Sequence, residues 1–239
     1  MKTSPSTFPF ETLIKGNAPK SRDHKWYPTS VEDYRNNLKI ESDTDFHIAL
    51  RCNLSYNLQY LEFLQKELDE LEVSSVLESM IIKNYVITGM SILEGIFAYV
   101  IKNNGWWSTE SLEEIKEFTS NQTKSNKETI IVKTKLCKVI PEKDVPMERM
   151  SLHRFIQILD KHHEGLSVNH IIYKRLNDIR DLRNKIHLTC TEKSTDHDYN
   201  AFNREVQQNM QNILYEILTS KNISHTSKPY EFLNPHNEK

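Results

Sequence analysis

Arg180, Asp181, Leu182, Arg183, Asn184, Lys185, Ile186 and His187 bring two guanidinium groups and an imidazole into one short stretch. On a helix advancing about 100° per residue, His187 falls roughly 20° from Arg180 and Arg183 roughly 60° from it, with Asn184 on the other flank. Arginines beside a histidine can bind an anion, hold charge that develops on phosphoryl oxygens and move a proton near neutral pH. RNA brings its own nucleophile, the 2′-OH, so such a set can cleave a phosphodiester without a metal. His187 then acts as general base or acid and Arg180 as a fork on the scissile phosphate, a role that Arg183 can fill as well. Asn184 and Asp181 can orient their neighbours, and Asp181 is also spaced i,i+4 from Lys185 for an ordinary surface ion pair. A solvated helix surface has the same composition, so spacing alone leaves both readings open.

The elements that must position these groups are helical. Ile171, Ile172, Ile179, Leu182 and Ile186 occupy a different sector from the cations, which predicts an amphipathic helix over 167–188. Upstream, apolar residues at helical spacing from Asp45 to Leu71, including Ile48, Cys52, Tyr56, Leu58, Leu61, Leu64 and Leu68, predict a long helix capped by Asp43 or Asp45. A second long helix is expected over 75–102, close enough in sequence to pack antiparallel on the first. Asn103, Asn104 and Gly105 end it with residues tolerant of positive φ. After Trp106 and Trp107, which suit a core cap better than a base-stacking platform, the sequence predicts a short helix over 111–118 and a polar loop over 120–127. A strand or hairpin is expected over 129–139. Helical periodicity returns over 147–161 and 199–218.

This gives an all-α expectation: an up-and-down helical bundle with two long antiparallel helices and a small irregular or β insertion. The expected organisation is an N-terminal arm over 1–44, a bundle over 45–220 with the insertion at about 105–147, and a C-terminal tail over 221–239. Four of the eight prolines precede residue 40, and the segment beyond Lys221 is polar. With 239 residues and 37% hydrophobic content, one domain is expected. Only 5 glycines occur and no GxGxxG or GxxxxGK pattern, which argues against barrels, sandwiches and Gly-rich nucleotide folds. The net charge of −2 supplies no global pull toward nucleic acid, so any polyanion contact must be local. Cys52, Cys137 and Cys190, odd in number and far apart, read as free buried thiols of a reducing compartment. The start of the chain lacks an apolar leader core and the most apolar run carries Glu94, so a soluble, cytoplasmic protein with no membrane partner is expected. His162, His163 and His170 lack a carboxylate or cysteine at ligand spacing, so no metal site and no cofactor is expected. Lys124, Lys127, Lys133, Lys135 and Lys138 read either as an RNA guide or as guards against strand-edge pairing.

The segment IRDLRNKIHL resembles the signature of the HEPN superfamily (higher eukaryotes and prokaryotes nucleotide-binding), helical bundles that carry an arginine, usually followed by a polar residue, with four to six residues in all between that arginine and a histidine. Arg180 followed by Asp181, with six residues before His187, matches that window; Arg183-Asn184 copies the common Arg-Asn opening but leaves three residues before His187. More loosely, the likeness covers roughly residues 45–219. Similar proteins often place an acidic residue on the preceding long helix facing the motif arginine, and Glu94 stands there, at the edge of an apolar stripe where a carboxylate needs a cationic partner. The resemblance implies a metal-independent endoribonuclease of toxin, abortive-infection or other phage-defence systems, with RNA as substrate. Catalytic roles fall to Arg180 and His187, with Arg183, Asn184, Asp181 and Glu94 in support. It further implies a homodimer with two Arg/His sets lining one cleft, and a cognate antitoxin or defence-system partner, although Thr189 stands where the antitoxin-linked subset carries tyrosine. A non-catalytic helical module that binds RNA, nucleotide or a protein partner on the same face is the alternative.

Overall fold

A computed structural model describes residues 28–106, 111–125, 128–140, 151–184 and 197–235, of which 111, 112, 124, 125, 140, 183 and 184 are described in backbone only. The chain is mostly helical, with a small share of antiparallel strand. Its helices are α1 (Val31–Asn37), α2 (Asp45–Glu70), α3 (Ser75–Asn103), α4 (Leu152–Lys161), α5 (Ile171–Asn184), α6 (Asp198–Ala201) and α7 (Arg204–Leu218).

The two long helices run close to the expected bounds. The cap of α2 is neither Asp43 nor Asp45: the Thr44 hydroxyl accepts from the His47 backbone N–H at 3.1 Å, and Asp43 instead holds the His47 ring, Oδ1 to Nδ1 at 2.5 Å. A threonine oxygen reaches the orphan donors of the first turn as well as a carboxylate does. Gly105 does end α3 at φ +67, where a side chain would be strained, and its N–H returns to the Lys102 carbonyl at 3.1 Å.

α2 and α3 pack antiparallel. A Cβ on Gly95, late in α3, would touch Leu50 and Leu54, early in α2, at 3.1 and 3.2 Å, while residues 71–74 join the opposite ends. The buried stripe of α2 is Leu54, Leu58, Leu61, Leu64 and Leu68. Ile48 and Tyr56, expected in the core, instead face water at 45% and 57% exposure; Tyr60 and Phe63 stack on each other on the exposed side. The axis of the molecule is α3, which is touched by α2, α4, α5, α6 and α7. By length and composition α3 could cross a membrane, yet 72% of its most apolar window is buried inside the protein, as suits a core helix.

The described parts of the expected N-terminal arm and C-terminal tail, 28–44 and 221–235, pack on this core. Tyr34 of α1 is fully buried, stacks on Tyr230 at 6.0 Å and donates to Glu62 Oε2 at 2.7 Å; burial pushes its phenol far above the usual tyrosine range. Asn37 donates to the Thr226 carbonyl at 2.9 Å and accepts from its N–H at 3.0 Å, and Lys39 N–H meets the Ile223 carbonyl at 2.8 Å. Ile223, Tyr230 and Leu233 are buried, the last two in a short 3₁₀ helix, Lys228–Leu233. Three well-placed apolar residues anchor an otherwise polar segment.

The insertion differs most. Residues expected as a short helix form strand β1 (Ser111–Thr119), followed by β2 (Thr123–Ser125) where a loop was expected, β3 (Glu128–Ile130) and β4 (Lys133–Ile140). β1 pairs antiparallel with β4 and β2 with β3, which makes a hairpin within a hairpin. Leu112, Ile115 and Phe118 carry an i,i+3 spacing that mimics a helix, but an irregularity between Glu114 and Lys116 resets the strand alternation. Lys133 Nζ meets Glu117 at 2.7 Å and Lys135 Nζ meets Glu114 at 2.6 Å, so charge pairing across the strands favours the sheet over the helix.

The C-terminal helices are shorter than their periodicity suggests. α5 starts at Ile171, not 167, because Ser167 adopts φ +53 and the Asn169 side chain caps the Ile171 N–H at 3.0 Å. The helix expected over 199–218 is broken at Phe202 and Asn203; Phe202 turns fully into the core, and Asn203 caps α7 by accepting from Val206 N–H at 3.0 Å. Of the segment expected as helix over 147–161, the described part is α4 from Leu152.

Candidate active site

Arg180 lies near the C-terminal end of α5, next to Ile179, which is buried with Ile172, Tyr173 and Leu176. This apolar stripe fixes the helix against its neighbours and leaves the Arg180 side chain at the edge, 18% exposed. α4 runs antiparallel beside it: His153 of its first turn meets Arg180, and Asp160 of its last turn meets His170, just before α5, at 2.9 Å.

The guanidinium is held on three sides. Its Nε and Nη2 donate to Asp181 Oδ1 at 3.0 and 2.5 Å, and Nη1 donates to Asn177 Oδ1 at 3.0 Å, one turn back along the helix. Nη1 also meets Nδ1 of His153. The side-chain amide nitrogen of Gln157 lies 3.0 Å from Nε2 of the same ring. Asp181 is 64% exposed, so the carboxylate that occupies the fork is in contact with water and can be exchanged for another anion.

His187 lies outside the described residues, and Arg183 and Asn184 contribute only backbone, the last two residues of α5. Of the expected set, Arg180 and Asp181 are thus brought together directly. Glu94 is half-buried on α3 and engaged, whereas the partners that hold Arg180 are Asp181, Asn177 and His153. His153 is the site residue that sequence spacing missed, because its relation to Arg180 exists only where α4 and α5 run side by side.

Other candidate groups are occupied elsewhere. His162 stacks on Trp106 at 4.4 Å, and the bare Cα of Gly165 gives the indole room, since a Cβ there would come within 2.6 Å of it. Trp106 therefore caps the core, and Trp107 lies outside the described residues. His163 stacks with His170 at 5.7 Å. Among the described residues, no three His, Cys, Asp or Glu side chains gather as a metal site. Cys52 and Cys137 are free, as expected, but half-exposed rather than buried; Cys190 is outside the described residues. Two surface hollows lie away from Arg180, one of about 490 Å³ by Asp33, Asn37 and Lys228, the other of about 380 Å³ by Lys39, Tyr99 and Trp106.

No family model, no curated protein and no solved structure matches this chain.

Proposed function

We propose that this protein is a metal-independent endoribonuclease of the HEPN type, acting in a toxin or phage-defence setting, with Arg180 and His187 as its catalytic pair. The observation that carries the reading is the Arg180 guanidinium, anchored on a packed helix, oriented by Asn177 and by the solvent-exposed Asp181, and beside an imidazole. An arginine pre-aimed in this way binds a phosphodiester with little ordering cost and holds charge on its oxygens as the 2′-oxygen attacks. His187, three positions beyond the last described residue of α5, moves a proton, and Arg183 and Asn184 support the same phosphate. The bundle and the twofold dimer of the HEPN reading belong to this proposal, with each motif helix beside its copy.

The test is incubation of purified protein with RNA in EDTA and identification of the ends. Products with a 2′,3′-cyclic phosphate and a 5′-hydroxyl support the proposal. Cleavage that needs an added divalent ion, or no cleavage, removes it. One observation favours the second reading, a binding module: Asp181 already fills the Arg180 fork, as in an arginine that serves the surface of its own helix.

A further inference from the structure

We propose that the strand arm built on β1 and β4 docks on the same arm of a second copy, the apolar faces of the two hairpins stacked about a twofold axis that runs along the strands. Neither RNA cleavage nor the pairing of motif helices enters the argument.

The arm stands apart from the bundle. β1 and β4 pack on each other, β2 and β3 likewise, and among the described residues no hydrogen bond or ion pair ties these strands to a helix. Register and strand alternation divide the hairpin into two faces. Lys133 and Lys135 share one face with Glu117 and Glu114, and their cross-strand ion pairs suit water. Phe118, Val132 and Leu136 occupy the other face. Phe118 stands opposite Thr134, and Val132 continues the alternation before β4, its carbonyl accepting from Ser120 N–H at 2.8 Å. These three side chains are 51%, 61% and 53% exposed, with Lys116 Nζ 4.9 Å from the centre of the Phe118 ring. A two-stranded hairpin with nothing on its apolar face is marginal in water, so this face calls for a cover.

Charge selects the cover. β1 carries Glu113, Glu114 and Glu117 against Lys116 alone, whereas β4 carries Lys133, Lys135 and Lys138 and no acid. Joining two copies edge to edge about a twofold sets β1 on β1 or β4 on β4, like charge on like. Stacking the faces about a twofold that crosses the strands does the same. A twofold along the strands exchanges the two sides of the hairpin, so β1 of one copy lies over β4 of the other and the acidic strand meets the basic one. Register fixes the detail. Glu113 is level with Lys138, so each Glu113 faces Lys138 of the copy; Phe118 is level with Thr134, so each ring settles between Val132 and Leu136 of the copy. Both apolar faces are covered at once, with the two bundles at the same end of the stacked arms. A nucleic acid finds no such match, since Lys133 and Lys135 are held by glutamates and Lys116 lies over Phe118.

The experiment uses the full chain with p-benzoylphenylalanine in place of Phe118, irradiated at micromolar concentration. The expected result is a covalent dimer on a denaturing gel, its cross-link mapped by mass spectrometry to residues 130–138 of the second chain. Isotope-labelled copies mixed with unlabelled ones separate links between chains from links within one. Sedimentation equilibrium then gives the affinity of unirradiated variants. Phe118→Ser should raise the dimer dissociation constant about tenfold or more, since two rings leave the contact, whereas Val139→Ser, on the ion-paired face, should leave it near the wild type. A third pair of variants tells loss of the contact from loss of the hairpin. Glu113→Lys and Lys138→Glu each set like charges level within the hairpin and across the copies; mixing the two restores the contact between copies alone, so the mixed pair should bind more tightly than either variant binds itself. A wild type that stays monomeric, a cross-link that maps to the bundle of the second chain, a dimer whose affinity Phe118→Ser leaves unchanged, or a mixed pair that binds no more tightly overturns the proposal.

Discussion

Asp198→Ala should destabilise this protein well beyond an ordinary surface change, although the residue sits on a four-residue helix. Asp198 opens α6, on the far side of the segment that carries His187, and its Oδ2 lies 2.8 Å from Nζ of Lys83 on α3. The Lys83 side chain is only 10% exposed, and its ammonium also lies 5.8 Å from the centre of the Phe202 ring. Removing Asp198 leaves a buried ammonium without its counter-ion, which costs ~3–5 kcal/mol when both partners are fully buried. Asp198 keeps 24% of its side chain in water, so part of the field is already screened. A loss of ~2–3 kcal/mol follows. At ~2–4 °C per kcal/mol for a chain of this size, the midpoint of thermal unfolding should fall by ~4–12 °C. Lys83→Met, which fills the same space without charge, should stay within ~1 kcal/mol of the wild type, since apolar replacement of a buried pair is often neutral. The double variant Lys83→Met/Asp198→Ala should therefore be more stable than Asp198→Ala alone, a sign reversal that only coupling between the two side chains produces. Urea unfolding followed by circular dichroism measures all four proteins. An Asp198→Ala loss below ~0.5 kcal/mol, the range of ordinary surface changes, or a Lys83→Met loss larger than that of Asp198→Ala, would refute the reasoning.

Tyr230→Ala should cost ~3–5 kcal/mol, as for other large buried aromatics, and a loss near zero by urea unfolding would mean that residues 221–235 do not hold the core. The Asp43 carboxyl is held below its ordinary value, chiefly by the hydrogen bond to His47, so its contribution to stability is complete above the unfolded value and disappears as pH falls through the folded one. Asp43→Asn should thus be less stable than the wild type at pH 6, with the two unfolding midpoints converging below about pH 4; a difference that persists at acid pH contradicts this. Light scattering at micromolar concentration should report a dimer, and an active monomer would remove twofold pairing from the proposed site.

Much of the helical frame is legible in the sequence because local physics decides it. The apolar spacing of α2 and α3 and the Asn103-Asn104-Gly105 stop place those helices to within a residue or two. What stays hidden depends on partners far along the chain. Leu112, Ile115 and Phe118 keep helical spacing, and only the lysines of β4 turn that segment into a strand. Ile223, Tyr230 and Leu233 are too few and too widely spaced to show periodicity, yet Asn37 and Tyr34 await them across the fold. Ile48 and Tyr56 share a helical period with the core leucines, and hydrophobicity alone does not say which side of α2 meets α3. In the candidate site, Arg180 and Asp181 stand out by adjacency and charge, whereas His153 is 27 positions from Arg180 and becomes visible only through the packing of α4 on α5.

The central claim, that Arg180 and His187 cleave RNA without a metal, is tested most directly by single-turnover cleavage of an oligoribonucleotide in EDTA by the wild type and by His187→Ala, Arg180→Ala and Arg183→Ala. The expected result is a loss of ~10²–10⁴-fold for His187→Ala, with the fold intact by circular dichroism, and a larger loss for Arg180→Ala than for Arg183→Ala. Full cleavage by His187→Ala, or cleavage that appears only when Mg²⁺ or Zn²⁺ is added, would contradict it.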